Sequence, residues 1–88
     1  MIRRRVVVHG RVQGVFFRDT MRRMAQSRGV AGWVRNTPER TVEAVFEGEP
    51  QAVESMVRFC HHGPRGASVS RVEVAEEAPE GLTGFAIA

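Results

Sequence analysis

The sequence predicts an α+β sandwich in which one antiparallel sheet carries two helices on a single face. Three observations lead there. Four stretches alternate apolar and polar residues, two more place their apolar residues at helical spacing, and the six follow one another as β-α-β-β-α-β. A chain of 88 residues holds one such core without metal or disulfide staples and has no room for a second, so residues 1–88 are read as a single domain.

Residues 3–9 alternate, with Val6 and Val8 on one side and Arg5, Val7 and His9 on the other, as a half-buried strand does. The Arg3-Arg4-Arg5 run is expected to be a solvated strand end. Phe17, Met21, Met24 and Ala25 then recur at helical spacing opposite Arg22, Arg23 and Gln26, and Gly29 supplies the stop. Residues 30–36, carrying Trp33 and Val34, form the second strand. The turn Thr37-Pro38-Glu39-Arg40 leads into residues 41–48, where Val42, Ala44 and Phe46 share a face, and the two strands make a hairpin. Pro50 stands where a first-turn proline is tolerated. Val53, Met56, Val57 and Cys60 mark the apolar face of the helix that follows, and Gly63-Pro64 ends it. Residues 68–75 alternate through Val72 and Val74, and Pro79-Glu80-Gly81 turns into a small extra strand, Phe85-Ala86-Ile87. Two amphipathic helices among four strands in split β-α-β order fit a ferredoxin-like sandwich, a fold that by itself says nothing about chemistry.

The composition narrows the setting. A single cysteine cannot form an internal disulfide, which suits a reducing compartment, with the cytoplasm as the default. No apolar run approaches the ~18 residues that cross a bilayer, and Met1-Ile2-Arg3-Arg4-Arg5 leads into a strand pattern instead of a signal-peptide core. All thirteen basic residues are arginine. The net charge is only +3, although the absence of lysine lifts the pI to about 10.9, so anionic partners are favoured weakly.

Function is argued from residues 9–18, His9-Gly10-Arg11-Val12-Gln13-Gly14-Val15-Phe16-Phe17-Arg18, where the strand pattern breaks at glycine and a helical pattern begins. A strand turning through Gly10 and Gly14 into a helix start leaves backbone N–H groups unpartnered and pointing the same way, which makes an anion site. Gly14 can take a positive φ, so that successive amides converge into a concave nest. Arg18, in the first helical turn, meets the positive end of the helix dipole, unfavourable by roughly 0.3–1 kcal/mol unless an anion sits between them. A guanidinium also grips two oxygens of a phosphate or carboxylate at once. An ordinary strand-to-helix loop with a solvent-facing Arg18 is the competing reading.

Other suggestive residues read more plainly. Cys60, on an apolar helix face, behaves as a small hydrophobe. His61 and His62 diverge at a helix end, where histidine caps carbonyls, and no metal site is read there. His9 is placed at the surface beside the loop, and Glu73, Glu76, Glu77 and Glu80 on a solvated edge and turn. Asn36 closes the second strand, either as a turn residue or, if the strand directions agree, near the anion loop.

Gly10-Arg11-Val12-Gln13-Gly14-Val15-Phe16-Phe17-Arg18 and Gly32-Trp33-Val34-Arg35-Asn36-Thr37-Pro38 closely resemble the acylphosphatase family. The first stretch matches that family's phosphate loop, glycine-x-valine-glutamine-glycine-valine-x-phenylalanine-arginine, at every fixed position, and the second its glycine-tryptophan-valine-x-asparagine block. The resemblance spans the chain and implies the ferredoxin-like fold together with hydrolysis of mixed carboxylic-phosphoric anhydrides. It further implies that Arg18 grips the phosphate, that backbone amides of Gly14, Val15, Phe16, Phe17 and Arg18 hold its remaining oxygens, and that Asn36 orients the attacking water. No metal or cofactor is expected. The partner is a small-molecule acyl phosphate, with no nucleic acid and no membrane, and the chain is expected to act as a monomer. Two departures stand out: Glu39-Arg40 replaces the aspartate-glycine usual in the family's hairpin, and Ala88 stands where relatives often finish on a basic residue.

The alternative is a non-catalytic module on the same fold, an RNA binder or anion sensor. RNA-binding sheets stack bases on aromatics of their central strands, and Val6, Val8, Val42 and Ala44 offer none. A detached domain of a carbamoyl-transfer protein would call for downstream zinc motifs, which are not present in the sequence.

Overall fold

The computed structural model describes residues 1–88. In chain order the elements are β1 (Ile2–Arg11), α1 (Phe17–Ser27), β2 (Ala31–Asn36), β3 (Val42–Gly48), α2 (Pro50–His62), β4 (Ser68–Glu77) and β5 (Phe85–Ile87). The strands form one sheet ordered β4-β1-β3-β2-β5. β3 lies antiparallel between β1 and β2, so those two run in the same direction and finish at the same end of the sheet. Val8, Val42 and Asn36 stand in one row across the three strands. The loop leaving β1 therefore starts close to the end of β2, which answers the question of strand direction that the sequence left open.

β5 modifies the expected antiparallel sheet. It joins the edge in parallel with β2, pairing Gly32 with Phe85 and Val34 with Ile87, so the sheet is mixed there. Alternation has the same period in parallel and antiparallel strands, and a three-residue strand carries no directional signal.

Both helices pack on the face that carries Val6, Val8, Val34, Val42, Ala44 and Phe46, all fully buried. α1 contributes Phe17, Met21 and Ala25, and α2 contributes Val53, Met56, Val57 and Cys60. Each large side chain removed from water here stabilises the fold by roughly 1.5–3 kcal/mol. The backbones of β2 and β3 close over Gly32 at φ 142°, where a Cβ would stand 1.8 Å from the Val45 carbonyl oxygen. Only glycine fits.

The opposite face corrects two expectations. Arg3 is not a solvated strand end: it is 3% exposed, beneath the segment that leads to β5. Its Nη1 donates to Glu47 Oε2 at 2.6 Å and its Nε to Glu77 Oε1 at 2.7 Å. Glu47, 1% exposed, also accepts the backbone N–H groups of Glu80, Gly81 and Leu82 at 2.8, 3.1 and 3.0 Å. Four donors converge on one carboxylate. Burial raises the Glu47 carboxyl pKa, but these donors outweigh it and hold the group at about 2. Glu77 likewise belongs to a lattice and not to a free edge, since Arg5 donates to it at 2.7 Å and to Glu43 at 2.6 Å. Arg5 also lies over the Trp33 ring at 5.5 Å. The second correction concerns the face an RNA platform would use. Val6, Val8, Val42 and Ala44 lie under the helices; the opposite face carries Arg5, Val7, Glu43 and the fully buried Val45 instead.

Candidate functional site

The loop between β1 and α1 is shaped by two residues in the left-handed region. Gly14 has φ 76°, as its sequence context requires. Phe16, at φ 59° and ψ 26°, occupies the N-cap position of α1 with no side-chain cap. For a residue with a Cβ this conformation costs roughly 1–2 kcal/mol, and strain of this kind clusters where a site must be held in shape. Sequence reasoning named the Phe16 amide but attributed the positive φ to glycine alone.

The result is a row of donors without acceptors. At the start of α1 the first backbone bond formed is Thr20 N–H to the Phe16 carbonyl, at 3.0 Å, and the amides of Val15, Phe16, Phe17, Arg18 and Asp19 donate to no group of the chain. These are the orphan groups of a helix N-terminus. Gly14, Phe16, Phe17, Arg18 and Asp19 line one cavity of about 290 Å³ together with Val12, Asn36 and Ile87. Of the residues named from sequence for the phosphate loop, Val15 alone is not part of that wall; its side chain packs against the core.

Arg18 is half-buried on the cavity wall. The neighbouring carboxylate, Asp19, is engaged elsewhere, by Arg22 at 3.1 Å and Arg23 at 3.3 Å, so the Arg18 guanidinium has no ion-pair partner there. Asp19 itself sits well, a negative charge in the first turn of a helix. Asn36 lines the same cavity, and its Oδ1 is buried and accepts no hydrogen bond. A buried carbonyl oxygen left unpaired costs roughly 1–3 kcal/mol, and such atoms are rare away from places where a ligand or water is bound.

Gln13 fastens the loop to the end of β2, a function the sequence reading did not assign. Its Nε2 donates to the Thr37 and Thr41 carbonyls at 3.1 and 2.9 Å, bridging the hairpin that follows Asn36. The two threonine hydroxyls meet at 2.6 Å, and Thr41 N–H reaches Thr37 Oγ1 at 3.2 Å. A polar amide enclosed by Val12, Gly14 and Val15 was the available signal, because glutamine can donate to two carbonyls at once. Ile87 was missed for another reason: its place on the wall depends on the parallel pairing of β5.

The residues that looked chemical but lie elsewhere behave as read. Cys60 is buried, and burial pushes its thiol up to about 12. His61 Nδ1 bonds the Val57 carbonyl of its own helix at 3.1 Å, and His9 pairs with Glu73 on the free face of the sheet.

The acylphosphatase family model matches residues 4–87. The chain belongs to the acylphosphatase family. An acylphosphatase of Rubrobacter xylanophilus is 60% identical over 84 residues, which are 94% of this chain and 76% of the relative. One of Gloeobacter violaceus is 54% identical over 86 residues, 98% of this chain and 92% of the relative. Among solved structures, the crystal structure of acylphosphatase from Bacillus subtilis superposes with a TM-score of 0.95 at 37% identity, covering 100% of this chain and 99% of the other. Within this acylphosphatase fold the Glu39-Arg40 departure leaves the hairpin closed. Arg40 adopts φ 69°, in the region a glycine would favour, and its N–H still bonds the Thr37 carbonyl at 3.1 Å.

Proposed function

We infer that the protein is an acylphosphatase that hydrolyses the carboxyl-phosphate bond of small-molecule acyl phosphates, with Arg18 and the loop amides as the phosphate cradle and Asn36 as the water-orienting group. The observation that supports this reading is the meeting, on one cavity wall, of Arg18, the loop whose amides are unpaired, and Asn36, whose Oδ1 accepts no bond within the chain.

The chemistry asks little more of the chain. Water oxygen attacks phosphorus as the bond from phosphorus to the acyl oxygen breaks, and the electron pair of that bond leaves on the carboxylate. Its conjugate acid has a pKa near that of an ordinary carboxyl, about 4, so it departs without a general acid. A non-bridging phosphate oxygen can take the proton released by water. What remains is alignment, together with stabilisation of charge on three equatorial oxygens, which preorganised amides and one guanidinium supply. Asn36 Oδ1, as an acceptor, would take one O–H of the water and aim its lone pair at phosphorus. No cofactor is needed, and the single buried thiol suits a reducing, cytoplasmic setting. The chain acts as one domain and as a monomer, and needs neither nucleic acid nor membrane. No helix is long and apolar enough to cross a bilayer.

The test compares benzoyl phosphate with a phosphate monoester, phenyl phosphate. Rapid release of phosphate from the first, slow release from the second and competitive inhibition by inorganic phosphate are expected. Phosphate binding without turnover of either compound would leave an anion-sensing module in its place.

A further inference from the structure

Arg40 has no part in the proposed reaction, and the turn it occupies does not explain it. Its backbone takes φ 69°, a conformation that glycine or asparagine reaches with less strain. Closing the turn uses only its N–H, which bonds the Thr37 carbonyl at 3.1 Å. The side chain is exposed and meets no acceptor of the chain. An arginine here is unexplained by geometry or packing.

That side chain lines a second cavity, of about 440 Å³, together with Gly10, Arg11, Val12 and Gln13. Val12 belongs both to this wall and to that of the cavity holding Arg18 and Asn36, so the two cavities adjoin along one loop. Elsewhere in the chain arginines are held by carboxylates, as Arg3, Arg5 and Arg35 are. Arg11 and Arg40 reach none. The wall carries no acidic side chain, and Glu39, beside Arg40 in the turn, is exposed and lies outside it. Two unneutralised charges of one sign on a concave surface concentrate anions there. Among the wall residues, the N–H groups of Val12 and Gln13 also donate to no acceptor of the chain.

We propose that this cavity is a second anion site, taking a small inorganic oxyanion of the pyrophosphate class between the Arg11 and Arg40 guanidiniums. Each guanidinium can grip two oxygens at once, and two of them suit a ligand with two phosphoryl groups better than a single phosphate. The wall has no aromatic ring and a single apolar side chain, Val12, so it offers a nucleoside nothing to stack on. Arg11 ends β1 and Arg40 belongs to the hairpin after β2. The bound anion therefore ties together the same two segments that Gln13 bridges through the Thr37 and Thr41 carbonyls. The site is independent of the hydrolase reading and stands whether or not the chain turns over acyl phosphates.

The experiment titrates sodium pyrophosphate, at fixed ionic strength, into isotope-labelled Arg18→Ala, which lacks the guanidinium of the other cavity, and follows the backbone amide resonances. Saturable shifts at Gly10, Arg11, Gln13 and Arg40 are expected, with inorganic phosphate binding more weakly than pyrophosphate. Adding Arg40→Asn, which suits the left-handed turn and removes the charge, weakens pyrophosphate binding about tenfold, the size of effect of one charge-assisted contact. Arg11→Gln does the same without touching the hairpin. No saturable shift at Arg11 or Arg40, or binding that both substitutions leave unchanged, overturns the proposal. Tighter binding of ADP than of pyrophosphate would assign the cavity to a nucleotide and overturn the choice of ligand.

Discussion

Replacing Glu47 by glutamine keeps the shape of the side chain and removes one of its two accepting oxygens. In the structure Arg3 Nη1 and three backbone amides, those of Glu80, Gly81 and Leu82, converge on that carboxylate. The single carbonyl of glutamine can serve two of these donors, which sets its NH₂ group against the other two. Each donor left facing another costs roughly 1–3 kcal/mol, which places Glu47→Gln near 3 kcal/mol. The titration of the group gives a similar figure by another route: a carboxyl held at about 2 against an ordinary 4.5 corresponds to about 3 kcal/mol of folding free energy. The side chain is only 1% exposed, so solvent screening takes little from this value. With 88 residues and an unfolding entropy of about 2.1 cal/mol/K per residue, the expected loss in Tm at pH 7 is about 16 °C. Thermal unfolding followed by circular dichroism measures it directly. Because the folded-state pKa lies below the unfolded one, the stabilisation is present above about pH 4.5 and is lost as pH falls toward 2. Wild type and variant should therefore converge in acid. A Tm difference under about 4 °C at pH 7, or a gap that does not narrow in acid, would refute the reasoning.

Two further outcomes follow from the packing. Gly32→Ala would drive a Cβ into the Val45 carbonyl at 1.8 Å; separation of β2 from β3 should destabilise the chain by more than about 4 kcal/mol, a size confined to severe steric mechanisms, and urea unfolding reads it. Cys60, buried with its thiol pushed up to about 12, should resist thiol reagents at pH 8 in the native state and react only in denaturant; prompt native-state labelling would show that α2 is not packed as described.

What the sequence made legible was local. Period-two alternation at Val6 and Val8 and helical spacing at Phe17, Met21 and Ala25 located the elements and their buried faces, because side-chain periodicity is a direct consequence of backbone geometry. The glycine-turned loop before α1 could be located for the same reason, since Gly14 and an Arg18 in the first helical turn are visible within a few residues. What stayed hidden depends on contacts far apart in the chain. Arg3 is buried because Glu47, 44 residues away, gathers it together with the segment before β5. The nearness of Asn36 to the loop required the order β1-β3-β2 and the bridge from Gln13 to Thr37 and Thr41. Ile87 reaches the cavity only through a parallel pairing that alternation does not encode. The left-handed phenylalanine at position 16 violates a local rule, and such violations are found where function outweighs propensity.

The most direct test of the central claim separates phosphate binding from turnover in two variants, with benzoyl phosphate as substrate and inorganic phosphate as competitive inhibitor. Arg18→Ala should lose both, since loss of one charge-bearing donor raises the barrier by about 2.7–4 kcal/mol, or 10²–10³ in rate, and weakens the grip on the bound anion. Asn36→Ala should lose turnover to a similar degree while inhibition by phosphate stays within a few-fold of wild type. Phosphate inhibition constants that are the same in Arg18→Ala and wild type would contradict the account.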